Sequence, residues 1–312
     1  MIEAAAQHSS ESVTERINVR FSALTNAERR AARTLLSDYP VAGLTSVHRF
    51  AEAAGVSAAT IVRFTKTLGF DGYREFQDSL RGEMQAREDS ALSIAQRRAP
   101  SGAAAGALEQ LRASESVYLA GIDKTFTALR ESEVEQLLQW LSDARTGIVS
   151  VGGAFSGLLA EYLVRELSMY RPGMRLCPQD AIGRVDLLAD SGPRGDVWIV
   201  FDFRRYSPAT ELIAEQAKRA GARITVITDR WLSPIAKFAD AVLSCRVEAR
   251  GPSDTLVPAM ALVEALCESA VARIGEPGLA RLNRMDPLRT QLEAPARMRD
   301  HERNAIAQAD HE

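Results

Sequence analysis

Two sets of side chains in this 312-residue sequence have the types and spacings that recognise anionic partners. The first is Ser57, Ala58, Thr60, Arg63 and Lys66, spread along one expected helix, with Ser46 one helix upstream. Arginine and lysine reach guanine edges or phosphates, and a threonine hydroxyl reaches either a base or a phosphate. None of the positions expected to face outward on that helix (Ala58, Ala59, Thr60, Arg63, Lys66 and Thr67) is acidic. The second set lies far downstream: Gly152, Gly153 and Ser156, then Asp202, Arg204, Arg205 and Ser207, then Thr228. Glycines let the backbone approach a ligand, a helix start offers amides to an anion, and guanidiniums hold phosphate or carboxylate with two parallel bonds. Asp202 could orient those guanidiniums or accept from a ligand hydroxyl or amine. It could equally close the site through an ion pair with Arg204 or Arg205.

Other chemistry is missing. No histidine lies between His48 and His301, so the downstream half lacks the commonest general acid–base group, and no catalytic residue is assigned. Cys177, Cys245 and Cys267 have no CxxC spacing and read as small buried apolar residues. No histidine pairs with cysteine or carboxylate at a metal-ligand spacing, so neither metal nor cofactor is expected.

The elements that must position these residues fall into two kinds. Thr25 with Glu28 forms a capping box for a helix that stops before Pro40. Val47, Phe50, Ala51 and Ala54 make one buried stripe on a second helix, from about Ser46 to Ala54. Gly55 ends it, Ser57 caps a third helix to Leu68, and Tyr73, Phe76 and Leu80 mark a fourth. A helix, a tight glycine turn and a second capped helix, with Val56 and Ile61 filling the angle, have helix-turn-helix geometry. From Gly147 the period changes. Apolar strands at Ile148–Val151, Val197–Phe201, Ile224–Thr228 and Ala241–Cys245 alternate with amphipathic helices, and Met174–Cys177 reads as one more strand. Ser132 is expected to cap the helix before the first strand. Such alternation means a parallel sheet covered on both faces. The fold class is therefore α + α/β, an all-α helix-turn-helix domain followed by a doubly wound parallel-sheet domain. The expected boundaries are a mobile N-terminus at 1–20 and the helix-turn-helix domain at 21–95. A linker with connecting helices at 96–132, the α/β domain at 133–275 and a charged tail at 276–312 follow.

The formal net charge of −3 speaks against a protein coated with nucleic acid along its length, though a small basic face would be diluted in that total. The N-terminus lacks a secretory pattern and no apolar run approaches a membrane span, so a cytoplasmic, non-membrane protein is expected.

Residues 22–84, centred on AEAAGVSAATIVRFTKTLGFDGYREF, resemble the helix-turn-helix domain of the RpiR/MurR family of bacterial regulators. The run Leu68-Gly69-Phe70-Asp71-Gly72-Tyr73 carries that resemblance beyond a generic helix-turn-helix. Residues 133–275 resemble the sugar isomerase (SIS) domain that follows it in the family. The resemblance implies a DNA-binding regulator, more often a repressor, with a sugar phosphate near Ser156. Helix-turn-helix heads paired in a homodimer or homotetramer are expected to read a pseudo-palindromic double-stranded operator, with a small anionic metabolite as the further partner. One loop departs from the family. Where SIS domains carry a Ser-x-Ser-Gly-x-Thr type loop that holds phosphate, this chain has Asp202 and Arg204 for the serines, Arg205 for glycine and Ser207 for threonine. The alternative reading is a sugar-phosphate isomerase with an accessory helical domain, using a carboxylate such as Glu264.

Overall fold

The computed structural model describes residues 12–88, 93, 96, 106–192, 195–251 and 253–293. The N-terminal unit is built from six helices: α1 Val13–Arg20, α2 Asn26–Ser37, α3 Val41–Leu44, α4 Val47–Ala53, α5 Ala58–Thr67 and α6 Tyr73–Glu88. The Thr25–Glu28 capping box forms in full at the start of α2. Leu35, Phe50, Ile61, Phe64, Phe76 and Leu80 meet in one core, with Phe76 edge-on to Phe64 and Phe70.

The first turn of this unit corrects an expectation. Residues 13–20 are a helix, not a mobile segment. Val13 and Ile17, one turn apart, are fully buried in the head core. The Val13 amide donates to Glu83 of α6 at 2.7 Å, and Arg16 lies over the Phe70 ring at 4.3 Å. A single apolar pair in a polar stretch was enough because α6 and the loop after α5 supply its partners. The expected mobile residues 1–11 lie outside the described residues.

After the partly described segment 89–105 come α7 Ala107–Thr127 and α8 Glu131–Ser142. Ser132 does not cap α8. The cap is Arg130, whose carbonyl accepts from Glu133 and Val134 while its guanidinium pairs with the Glu133 carboxylate.

The α/β domain is a five-stranded sheet in the order β2-β1-β3-β4-β5, with every neighbouring pair parallel. In chain order its elements are β1 Ile148–Gly152, α9 Gly157–Ser168, β2 Met174–Leu176, α10 Ala181–Ala189, β3 Val197–Asp202, α11 Pro208–Arg219, β4 Arg223–Asp229, β5 Ala241–Cys245 and α12 Val257–Ile274. A 3-10 turn, Pro234–Lys237, precedes β5. Every residue of β3 is buried, as a central strand covered on both faces requires. Leu137, Leu163, Leu262 and Leu266 line one face, and Trp198, Ile213, Ala217 and Ile224 line the other. The chain leaves β1 toward β2 on one side and returns to β3 on the other. This order places a crevice at the carboxyl ends of β1 and β3.

In the second half of the chain, α10 and a helix at the start of the tail were not anticipated. Asp180 caps α10, accepting from Gly183 N at 2.7 Å. The expected tail instead begins with a helix, α13 Glu276–Glu293. Pro277 sits in its first turn, where proline is tolerated, and Pro287 is accommodated inside it. Cys177, Cys245 and Cys267 are all buried and unpaired. Burial pushes each thiol upward, Cys267 to about 12. Among the described residues no cluster could hold a metal ion, and no helix is long and apolar enough to cross a membrane.

Candidate functional site

The candidate DNA-reading element is α4, a turn and α5. Ser46 caps α4, accepting from Arg49 N at 3.3 Å. Gly55 takes φ +62°, a left-handed conformation that costs glycine nothing, and lets Val56 N close back on Ala51 O at 2.9 Å. Ser57 then caps α5, accepting from Thr60 N at 3.2 Å. Ile61, Phe64 and Leu68 point into the core. Ala59, Arg63 and Lys66 point out, as do Ser46 and Ser57, and Ala58 is half-buried.

Thr60 is not on the outer face. It is 6% exposed because it lies one turn before buried Phe64. Its hydroxyl bonds with Ser57 Oγ at 2.9 Å and accepts from the Arg63 guanidinium at 3.2 Å. Thr60 therefore holds Arg63 rather than reaching a base. Thr67 donates to Glu28 at 3.1 Å. Burial opposes ionisation of Glu28, but hydrogen bonds from Thr25 and Thr67 and the nearby Arg63 charge hold its carboxyl below the usual range. The Glu28 oxygens bond Thr25 and Thr67.

The second candidate site is a cavity of about 550 Å³ at the carboxyl ends of β1 and β3. Gly153, Ser156, Asp202, Arg204, Arg205 and Ser207 line it, as expected. Phe155, Phe203, Tyr206 and Leu256 add an apolar wall, and Asp254 was not anticipated. Gly152 and Thr228 do not line it. A Cβ on Gly152 would lie 2.7 Å from Gly157 N and from the Ser156 carbonyl, so this glycine serves strand–helix contact. Thr228 is fully buried, and its hydroxyl accepts from Ser233 N at 3.0 Å.

The polar atoms of the cavity are extensively bonded within the chain. Ser156 Oγ accepts from Gly153 N and donates to Phe201 O, both at 2.8 Å. Asp202 accepts from Ser207 N at 3.2 Å and from Ser233 Oγ at 2.5 Å. Arg204 is itself held within the chain. Its guanidinium grips both oxygens of Asp254 and lies over the Trp231 ring at 4.6 Å. Arg205 is exposed, with φ +67°, a conformation glycine adopts without strain. Asp229, at the end of β4, accepts from Tyr206 Oη at 2.7 Å, from Trp231 N at 2.9 Å and from Arg204 N. Full burial pushes its carboxyl up to about 6, with those three donors and the Arg204 charge pulling the other way.

From Asp229 a chain of contacts reaches the head. Trp231 carries Arg204 against its ring and Arg230 at 4.7 Å from the ring centre. Arg230 faces Glu248 at 3.4 Å, Glu248 faces Arg246 at 3.6 Å, and Arg246 pairs with Glu15 of α1 at 2.8 Å. The Arg246 and Glu15 side chains are only 10% and 7% exposed.

The helix-turn-helix domain model of the rpiR family matches residues 11–87, and the SIS domain model matches residues 141–269. An uncharacterized HTH-type transcriptional regulator of Haemophilus influenzae is 28% identical over 239 residues, 74% of this chain and 78% of that protein. The HTH-type transcriptional regulator RpiR of Escherichia coli K12 is 25% identical over 70% of this chain and 71% of its own. Two solved structures share the fold. The sugar isomerase domain of the RpiR transcription factor from Sphaerobacter thermophilus matches with TM-score 0.51 and 24% identity over 56% of this chain and 96% of that one. The Vibrio vulnificus NanR protein, complexed with ManNAc-6P, matches with TM-score 0.51 and 16% identity over 91% of this chain and 100% of that one. With both domain models in one chain, and regulators as relatives over most of its length, the chain belongs to the rpiR family of helix-turn-helix transcriptional regulators.

Proposed function

We propose that this regulator reads a pseudo-palindromic operator with α5, and that a small anionic metabolite in the α/β cavity sets its affinity for that operator. The observation that carries the DNA half is α5 itself: a capped helix with Arg63 and Lys66 exposed and no acidic residue of its own. Arg63 and Lys66 contact base edges and phosphates, and the first turns at Ser46 and Ser57 meet the backbone. A homodimer or homotetramer presents paired heads to half-sites one helical turn of DNA, about 34–36 Å, or a multiple apart. The regulator acts in the cytoplasm, as a repressor. The ligand half rests on the cavity and on the NanR protein's complex with ManNAc-6P, which makes sugar phosphates the first class to test. A ligand that favours one arrangement of the heads shifts the equilibrium by its differential affinity. The contacts from Tyr206 and Arg204 through Asp229, Trp231, Arg230 and Arg246 to Glu15 supply a contiguous route for that bias.

The test is selection of genomic DNA fragments by the purified protein at physiological salt, beside Arg63→Ala and Lys66→Ala. A shared inverted repeat, lost or relaxed in Arg63→Ala and recovered with weaker binding in Lys66→Ala, is the expected result. Enrichment unaffected by either change overturns the assignment of α5.

A further inference from the structure

The first turn of α11, beside the cavity, is where a helix in this topology would receive an anion. Here that turn is partly occupied. Pro208, its first residue, has no amide hydrogen. The Thr210 amide donates to Ser207 Oγ at 3.3 Å. The Ser207 amide donates to Asp202 Oδ1 at 3.2 Å, and Asp202 Oδ2 accepts from Ser233. Asp202 is only 3% exposed, so a carboxyl group of the chain itself takes up the cap amide at the start of α11. Arg204, a buried cation of the same lining, is held by Asp254. The lining holds two acidic residues, Asp202 and Asp254, against two arginines, Arg204 and Arg205.

Arg205 differs from the other three. It lies at the exposed rim, and its guanidinium makes no hydrogen bond or ion pair among the described residues. Its backbone holds φ +67°, which a non-glycine residue adopts at a cost. Beyond it stand Phe155, Phe203 and Leu256, an apolar wall for the body of a ligand.

Resting on the reading of this cavity as the effector site, we propose that Asp202 acts as a built-in anion. It excludes phosphomonoesters from the pocket and leaves room for a singly charged carboxylate ligand, paired with Arg205 at the rim. A phosphomonoester near neutral pH carries close to two negative charges, which the single guanidinium of Arg205 at the rim cannot match while the Asp202 side chain occupies the inner end of the loop. A carboxylate brings one charge, which one guanidinium matches with two parallel bonds.

The experiment uses the full chain without DNA, so its outcome is separate from whether α5 reads an operator. Thermal melts are followed with millimolar inorganic phosphate or glucose 6-phosphate, and with gluconate, glucuronate or galacturonate. The wild-type melt is expected to ignore both phosphates and to rise with at least one sugar acid. Asp202→Ser, which opens the seat at α11, is expected to gain affinity for inorganic phosphate by roughly tenfold or more, read by calorimetry. Asp202→Asn keeps the shape and the bond from Ser207, and it decides the matter if the serine variant does not fold. Arg205→Gly is expected to lose the sugar-acid response while melting at or above the wild-type temperature in its absence. Phosphate binding by the wild type, or failure of both Asp202 variants to gain it, overturns the role of Asp202. No sugar-acid response in the wild type, or an undiminished one in Arg205→Gly, overturns the role of Arg205.

Discussion

At the scale of single residues, Thr60 and Arg63 illustrate how a face is read and misread. Counting outward positions from Ser57 puts Thr60 on the DNA side, yet four residues later comes Phe64, and that spacing buries Thr60 beneath it. Thr60→Val therefore keeps the helix but frees Arg63. Operator affinity should fall a few-fold with an unchanged melting temperature, measured by fluorescence anisotropy and circular dichroism. Arg63→Ala should cost about 1–3 kcal/mol of specific binding, whereas Lys66→Ala should weaken all sequences alike and lower the salt-dependence slope by about 1. Equal losses on specific and random DNA for Arg63→Ala would remove it from base readout. In the cavity, six of the eight expected residues do line the wall. Asp229 could be read from its place at the end of a strand on the same sheet edge, but Asp254, which grips the Arg204 guanidinium, lay beyond sequence reading. It comes from a loop 50 residues on, and nothing local marks the partner of a distant guanidinium.

At the scale of elements, legibility followed the strength of local signals. Ser57 and Gly55 announce α5 because a cap and a left-handed turn each demand a narrow set of residues. The sheet was legible because its strands are short apolar runs between helical periods. α13 was lost to Pro277 and Pro287, although Leu279, Leu282, Met285, Leu288 and Leu292 recur every three or four residues along it. α1 was lost because only Val13 and Ile17 mark its buried side. Gly152 is one element-level site sensitive to change. Its Cβ would meet backbone, which cannot yield as a side chain can. Gly152→Ala should destabilise the α/β domain by about 1–3 kcal/mol, read as a lower denaturation midpoint. An unchanged midpoint would mean that β1 and α9 separate freely.

At the scale of the whole molecule, the head and the α/β domain meet through a buried charge pair. Removing one partner leaves the other buried and unmatched, so Arg246→Met alone should cost about 3–5 kcal/mol. The double variant with Glu15→Gln should recover much of that loss, and additive losses would show that the pair is not coupled. Glu83 adds a pH dependence. Burial pushes its carboxyl up to about 7, against the Tyr39 hydroxyl, the Val13 amide and Arg230, with Glu15 adding to the rise. The folded state thus favours protonated Glu83. The stability this contributes is full below the ordinary carboxylate value and is lost as pH rises through about 7. The change amounts to at most about 3 kcal/mol, and Glu83→Gln should flatten the melting profile between pH 5 and 8 if this residue is its source.

The three buried cysteines have a practical and a biological consequence. Thiols held so far from ionisation offer almost no thiolate to peroxide or to alkylating reagents. Genes under this regulator should therefore respond to a metabolite and ignore oxidative stress acting through these cysteines. A single cysteine placed at Ala59 would then be the one reactive handle on the native protein, ready for spin or fluorescent labels that report the distance between paired heads with and without effector.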